Sequence, residues 1–175
     1  MNADGLCLWL TERGIAFERF DHPPVFTCEE ADRLVPAAAE AVQTKNLFLR
    51  NKKGDRHWLL VTDCRKPVDL KALGPVIGAE HLSLGSPERL ERHLGLTPGS
   101  VTVFGLVNDP GHAVELLVDE EVDGLPAWRC HPMVNSATLV VPREGIATFL
   151  TLTGHRPRVV GGPVRGATGS SGGER

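Results

Sequence analysis

The chain has 175 residues, of which 41% are hydrophobic and 23% charged, and this composition is typical of an ordinary globular protein. Its formal net charge is −3, whereas general nucleic-acid binders are usually basic, so the composition argues against a DNA-binding protein. No apolar run approaches the roughly 20 residues of a membrane span, and the first ten residues lack the pattern of a signal peptide. We therefore predict a cytoplasmic protein with neither a membrane nor DNA as its partner.

The cysteines and histidines show no spacing that is typical of a metal site. Cys7, Cys28, Cys64 and Cys130 lie far apart and form no C-x-x-C pair, which argues against a zinc site and against a disulfide framework. The seven histidines are equally scattered. We expect no metal and no cofactor, and free thiols in a reducing cytoplasm.

The first third of the chain predicts two helices separated by an extended segment. Residues 5–14 have apolar side chains on one helical face and end at a glycine. Residues 22–26 contain two prolines and must be extended. The segment Thr27-Cys28-Glu29-Glu30 has the spacing of a capping box, which predicts a helix from there to about residue 35. The alanine-rich residues 36–43 suggest a turn of helix.

The middle of the chain predicts a hairpin and two helices. Residues 47–49 and 57–61 are apolar enough for two strands, and the polar residues 51–55 supply the turn between them. Residues 69–73 suggest a short helix. Ser86 followed by Pro87 is a strong helix start, and Gly95 is expected to end that helix.

The last third predicts several strands and one helix. A loop at 97–100 leads into 101–104. Strands are expected at 114–118, 128–131 and 137–141, with a turn at 123–124. A helix is expected from 142 to before 154, followed by an edge strand at 157–160. Because tight turns join several strands, we predict an α+β domain with a curved mixed sheet and helices packed outside it. This domain is expected to span residues 1–160, and the glycine- and serine-rich residues 161–175 to form a flexible tail.

A basic segment stands out from the acidic average. It carries five cations against the single acid Asp55, a local net charge of +4, and the five cations are Lys45, Arg50, Lys52, Lys53 and Arg56. Such a cluster is compatible with a solvated hairpin turn or with a patch that contacts phosphates.

The residues alone do not select a reaction. Lys45 follows Thr44 at the mouth of an apolar strand, where a lysine is either a solvated strand end or functional. Cys130 and His131 are adjacent, but neighbouring strand residues point to opposite faces, which argues against a Cys–His nucleophile. No G-x-S-x-G, Walker A or dinucleotide fingerprint is present.

An ordered set of segments nevertheless resembles the YbaK/prolyl-tRNA editing family, and in particular its stand-alone PrdX (ProX-type) branch. The matching segments cover nearly the whole chain before the tail and are HPPVFTCEEA at 22–31, TKNLFL at 44–49, LGLTPGSVT at 94–102, FGLVND at 104–109, HPMVNSAT at 131–138 and PREGIATFL at 142–150.

The resemblance implies a single YbaK-type domain with a barrel-like mixed sheet and no cofactor. It implies a trans-acting deacylase that hydrolyses the ester of mischarged tRNA(Pro), with alanine as the commonest substrate of the branch. The implied partners are the acceptor end of tRNA(Pro) and, as a further candidate, prolyl-tRNA synthetase. The alternatives are the same reaction on serine, threonine or 2-aminobutyrate, and a non-catalytic module that binds tRNA or a synthetase.

The resemblance also implies site residues. It assigns the catalytic positions to Lys45 and Gly99, and it lets the five cations of the basic segment bind tRNA. The expected substrate-pocket residues are Phe26, Asn46, Ser100, Val103, His131 and Met133. The family loop reads G-x-x-x-P, and Val103 occupies the position of its proline. We therefore expect a looser loop after Gly99 and a pocket that admits a slightly larger side chain.

Overall fold

A computed structural model describes residues 1–36 and 40–166 of the chain. Six α-helices, eight strands and one 3-10 helix lie within these residues. In chain order they are α1 (Ala3–Glu12), β1 (Glu18–Asp21), α2 (Cys28–Leu34), β2 (Ala41–Arg50), β3 (His57–Asp63), α3 (Leu70–Ile77), β4 (Ser83–Leu84), α4 (Pro87–Leu94), the 3-10 helix (Val103–Asn108), β5 (Val114–Asp119), α5 (Glu120–Asp123), β6 (Ala127–Cys130), β7 (Ala137–Pro142), α6 (Arg143–Thr153) and β8 (Arg158–Val160).

The strands form one mixed sheet, as the sequence predicts. Its order is β1-β7-β6-β2-β3-β5-β8, with β4 paired to β2. The β2–β6, β3–β5 and β5–β8 pairs are parallel, whereas β1–β7, β2–β3, β2–β4 and β6–β7 are antiparallel. The sheet has two ends, β1 and β8, so it is open and does not close into the barrel that the resemblance suggested.

The core lies on both faces of this sheet. Along β3, Leu59 and Val61 pack into a larger core with α1, α4, α6 and the 3-10 helix. Trp58 and Leu60 alternate with them and pack into a smaller core with α3 and β8. This alternation follows from the two-residue period of a strand, and it explains why β3 is apolar throughout.

Two predicted helix starts are confirmed by their caps. In α2, the Thr27 side chain accepts from the Glu30 backbone N–H, and the Glu30 carboxylate accepts in return from the Thr27 backbone N–H. In α4, the Ser86 hydroxyl accepts from the Arg89 N–H, and Gly95 ends the helix with φ of +63°. Both signals act within four residues, so they do not depend on the rest of the fold.

The strand β2 is longer than predicted. It begins at Ala41, so the turn of helix expected at 36–43 is wrong for residues 41–43, while residues 37–39 lie outside the described part of the chain. Its first three residues pair with β6. Backbone pairing with β6 thus overrides the local preference of alanine for helix.

The first residues of the predicted tail pack against the domain. Val164 forms a β-bridge with Val68, and the Arg165 backbone N–H donates to the carbonyl of Pro67 at 2.8 Å. These contacts hold Val164 and Arg165 against residues 67 and 68 of the domain, within the segment that the sequence assigned to the tail. Residues 167–175 lie outside the described part. No helix within residues 1–36 and 40–166 combines the length and apolarity that a membrane span requires.

Candidate active site

A cavity of about 460 Å³ opens where β2 changes its neighbour. Up to Gln43 the strand pairs with β6, and from Thr44 onward it pairs with β3. At this point Gln43, Thr44, Lys45 and Asn46 all line the cavity. Its volume lies in the range of about 300–1,000 Å³ that is usual for small-molecule sites.

Lys45 contributes a positive charge to the cavity wall. Its Nζ donates to the backbone carbonyl of Lys66, which holds the ammonium at the wall. Burial lowers the pKa of Lys45, while the nearby Asp63 carboxylate raises it and the Arg165 guanidinium lowers it further. Lys45 lies in the middle of β2 and not at the strand mouth that the sequence suggested, because β2 extends back to Ala41.

His131 forms another part of the wall as a neutral ring. Its Nδ1 lies 3.1 Å from the carbonyl of Ala137, so Nδ1 carries the proton and Nε2 is an acceptor. Burial lowers the pKa of His131, and the charge of His22 lowers it further, against the hydrogen bond to Ala137. The neighbouring Cys130 lies in the core, where burial raises its pKa to about 12. The two side chains therefore form no reactive dyad, as the alternation of a strand predicts.

The loop after α4 closes the cavity on another side. Gly99 has φ of +86° and no atom within 4 Å of the position where a Cβ would lie. A side chain at Gly99 would fit spatially but would strain the backbone, because positive φ favours glycine. The Ser100 N–H donates to the Thr97 carbonyl at 3.1 Å and so tightens the turn. Val101 continues the loop and lines the cavity.

The first turn of α2 supplies the remaining wall. Phe26 stands at the rim and is 78% exposed. Its backbone N–H donates to the Glu30 carboxylate at 2.6 Å, which joins the extended segment to the helix. Thr27, Cys28 and Glu29 line the cavity beside it.

Cys28 of this turn forms a disulfide with Cys64, which follows β3, and both cysteines line the cavity. The expectation of free thiols is wrong for this pair. The Cα atoms lie 5.9 Å apart although the residues are 36 positions apart in sequence. Only the packing of α2 beside the end of β3 brings them together, which no local spacing could indicate. Cys7 and Cys130 are free.

Two amide oxygens in the cavity wall are buried without a donor. Gln43 Oε1 and Asn46 Oδ1 accept no hydrogen bond from any residue of 1–36 or 40–166. A buried acceptor without a partner costs about 1–3 kcal/mol. Buried atoms without a partner among the described residues also occur away from the cavity, at Trp58 Nε1, Arg129 Nε and His155 Nδ1, so the two amide oxygens point to a ligand only because they line the cavity.

The cavity gathers most, but not all, of the expected site residues. Phe26, Lys45, Asn46, Gly99 and His131 line it. The other three expected pocket residues, Ser100, Val103 and Met133, are buried and are not part of its lining.

Val103 belongs to the core and not to the cavity. Its side chain is 0% exposed at the start of the 3-10 helix, where it packs with the larger core. Val101, two residues earlier in the loop, lines the cavity, whereas Val103 does not. Met133 is likewise held in the core, with φ of +66°.

The basic segment is divided between the two ends of the β2–β3 hairpin. Lys45 lies at the cavity, whereas the turn begins six residues later, roughly 20 Å away at about 3.3 Å per residue. At the turn, Arg56 forms an ion pair with Glu115 at 2.6 Å and stacks over Trp58. Lys52 and Lys53 are exposed there. Any contact of the turn with a ligand is therefore remote from the cavity.

Several cavity residues escaped the sequence analysis. Gln43, Val101 and the Cys28–Cys64 pair were not singled out as site residues, although Cys28 and Val101 lie within two of the matching segments. Gln43 could have been found from the strand period, because it precedes Lys45 by two residues and shares its face. No cluster of three or more His, Cys, Asp or Glu side chains suited to a metal is found among the described residues.

The open mixed sheet with helices packed against it defines a single α+β domain with a cavity that holds lysine, asparagine, glycine and histidine. The sequence profile of the aminoacyl-tRNA editing domain matches residues 22–149. The chain belongs to this family, which confirms the resemblance drawn from its motifs.

Individual relatives lie in the proline branch. Over 146 residues the chain is 37% identical to the prolyl-tRNA editing protein ProX of Acetoanaerobium sticklandii, with 83% of this chain and 88% of that protein covered. Over 144 residues it is 35% identical to the prolyl-tRNA synthetase associated domain-containing protein 1 of Danio rerio, with 80% and 76% covered.

Solved structures show the same fold. A structure described as a candidate trans-editing enzyme for prolyl tRNA synthetase superposes with a TM-score of 0.65 at 21% identity, covering 90% of this chain and 94% of that one. At this level of identity the likeness supports the architecture alone.

Proposed function

We propose that this protein is a trans-acting deacylase that hydrolyses the ester of mischarged tRNA(Pro), with alanyl-tRNA(Pro) as its main substrate. The observation that carries the proposal is that one cavity gathers Lys45, Asn46, Gly99 and His131. These are the positions that the family resemblance assigned to the site. The names of the relatives in the proline branch support tRNA(Pro) as the substrate.

The cavity suits hydrolysis by a positioned water better than attack by a protein nucleophile. Its two cysteines are joined in a disulfide, and the Thr44 hydroxyl is committed to the Arg129 carbonyl at 2.8 Å. The free 2′-hydroxyl of the terminal adenosine would orient the water. The Lys45 ammonium would stabilise a phosphate of the acceptor end or the charge that develops on the ester oxygen.

Selectivity would come from the size of the cavity. A synthetase site that holds proline cannot readily exclude the smaller alanine, because each missing methylene changes binding by only about 1–3 kcal/mol. A second pocket that admits alanine and excludes proline removes the wrong product after it has formed. In this chain Val101, His131 and the disulfide narrow the cavity.

The partner would be the acceptor end of tRNA(Pro), in the cytoplasm where tRNA is charged. The terminal nucleotide would enter the cavity, and the exposed cations at the hairpin turn would contact the stem roughly 20 Å away. Such phosphate contacts are sensitive to salt. Prolyl-tRNA synthetase is a further candidate partner that would deliver the product.

The test is to incubate the protein with alanyl-, seryl- and prolyl-tRNA(Pro) and to follow the loss of each ester. We expect alanyl-tRNA(Pro) to be cleaved fastest and prolyl-tRNA(Pro) to survive. Faster cleavage of the seryl ester would keep the reaction and change the amino acid. Binding of tRNA without loss of any ester would show a non-catalytic module and overturn the proposal.

A further inference from the structure

The helix α2 buries little of its own surface, although Val25 before it and Val35 after it are buried. Its only buried residue is Ala31. Asp32 forms ion pairs with Arg65 and, at 3.5 Å, with Arg129. Arg65 is 60% exposed, so its ion pair contributes little, whereas Arg129 is only 7% exposed and its pair with Asp32 is longer. The Cys28–Cys64 disulfide is the covalent link between this helix and the end of β3.

The same helix carries one wall of the cavity. Thr27, Cys28, Glu29 and Ala31 line it from this side, whereas Lys45 and His131 line it from the sheet side. The separation of the two walls therefore depends on how firmly the first turn of α2 is tied to the sheet. Because Cys64 directly follows the strand that pairs with Lys45, the disulfide spans the two walls at the cavity itself.

We propose that the Cys28–Cys64 disulfide is a specificity-determining part of the cavity wall, beside His131 and Val101, so that discrimination between alanyl and prolyl esters depends on its redox state. This inference rests on the proposed deacylase function. In the oxidised protein the walls are held at a fixed separation and proline is excluded. In the reduced protein the first turn of α2 moves away, and the cavity admits the larger prolyl group.

The redox step needs a dithiol reductant, such as a protein of the thioredoxin class or dithiothreitol. The reductant supplies two electrons and two protons, the S–S bond breaks, and Cys28 and Cys64 become thiols while the reductant forms its own disulfide. Oxidised glutathione reverses the step by thiol–disulfide exchange. The two free cysteines cannot substitute for the pair, because Cys130 is buried in the core.

The experiment compares kcat/KM for alanyl- and prolyl-tRNA(Pro) in two preparations of the wild-type chain. One is oxidised with glutathione disulfide, and the other is reduced with dithiothreitol. Non-reducing peptide mapping verifies the state of the bond in each. We expect the alanyl-to-prolyl ratio to fall by about 10-fold or more on reduction, the range that one methylene commands, and to recover on reoxidation.

Matched variants separate this effect from others. Cys28→Ser and Cys64→Ser should behave like the reduced protein and ignore dithiothreitol. Cys7→Ser keeps the pair and should respond like the wild type. A ratio that is equal in both redox states, or a protein that never forms the bond, would overturn the inference while leaving the deacylase function intact.

A second readout does not depend on turnover. Hydrogen exchange of the α2 backbone should speed up on reduction, and the affinity for an uncleavable prolyl-amide analogue of the tRNA 3′ end should rise. If no ester is cleaved in either state, the proposed function fails, and these two measurements still decide whether the disulfide sets the cavity size.

Discussion

The two ends of the β2–β3 hairpin hold their polar side chains in opposite ways. At the turn, Asn51 Oδ1 accepts from the N–H groups of Gly54, Asp55 and Arg56 at 2.9–3.2 Å. The cation Arg56 there is paired with Glu115. At the cavity end, by contrast, Gln43 and Asn46 keep buried oxygens without donors among the described residues.

The comparison teaches that local charge density is a poor guide to the site. The turn holds most of the basic residues that drew attention in the sequence, yet its charged side chains are exposed or paired. Of the five cations of the basic segment, Lys45 lies at the cavity end, where it is partly desolvated. Desolvated and unsatisfied groups cost stability, so they indicate function better than exposed charges do.

The largest expected effect is at the cavity end. Lys45→Ala should reduce deacylation of alanyl-tRNA(Pro) on the order of 100-fold, because a preorganised charge is lost. Single-turnover assays measure the rate, and a thermal melt checks that the fold is kept. Lys71→Ala, which removes an exposed lysine from α3, is the matched control. Near-normal turnover by the folded Lys45 variant would refute its assignment.

The next effect concerns the unsatisfied amide of Gln43. Gln43→Leu should raise the free energy of unfolding by up to about 1–3 kcal/mol, because it removes a buried acceptor that lacks a partner. Deacylation should fall at the same time, since the amide lines the cavity. Urea unfolding and the deacylation assay measure the two changes. A variant that is less stable would show that Gln43 is satisfied in solution.

His131 should shape the cavity and not act as an obligatory base. Because burial lowers its pKa, it stays neutral down through its ordinary pKa of about 6.5. The plot of the deacylation rate against pH should therefore show no loss of activity near pH 6.5. His131→Ala should keep most of the rate on alanyl-tRNA(Pro) and begin to cleave the prolyl ester. A fall of several orders of magnitude together with the loss of one pH limb would make it a general base.

At the turn, charge reversal should change binding and not chemistry. Lys52→Glu with Lys53→Glu should weaken tRNA binding and reduce the slope of log K against log salt by about 2, as expected for two lost phosphate contacts. The rate at saturating tRNA should stay the same. A changed rate with unchanged affinity would contradict the separation of the two ends.

The smallest effect appears only in acid. Burial, the charges of His93 and Arg89, and a further charge on Arg50 lower the pKa of His57 to about 4. The unfolded chain, with a histidine pKa of about 6.5, then binds more protons than the folded one. The stability that the neutral His57 ring contributes is therefore fully present above pH 6.5 and is lost as the pH falls toward 4. Urea unfolding at pH 7 and pH 4.5 measures this loss in the free energy of unfolding, and the loss should be smaller in His57→Gln than in the wild type. An equal loss in the two proteins would show that other groups cause it.

The sequence by itself determined the features that depend on a few neighbouring residues. The capping box at Thr27, the Ser86–Pro87 start of α4 and the glycine turn at 99 are signals within four residues. The ordered motifs also indicated the family, which the match of the editing-domain profile to residues 22–149 confirmed. These predictions needed no knowledge of which elements are adjacent in space.

The tertiary structure alone decided which distant residues meet. It joined Cys28 to Cys64, paired Val68 with Val164 and turned Val103 into the core while leaving Val101 at the cavity. It also buried Gln43 at the point where β2 stops pairing with β6 and begins to pair with β3. Each of these outcomes depends on sheet order and on which side of a loop packs inward. Both are set by burial of apolar surface across the whole chain, and not by local spacing.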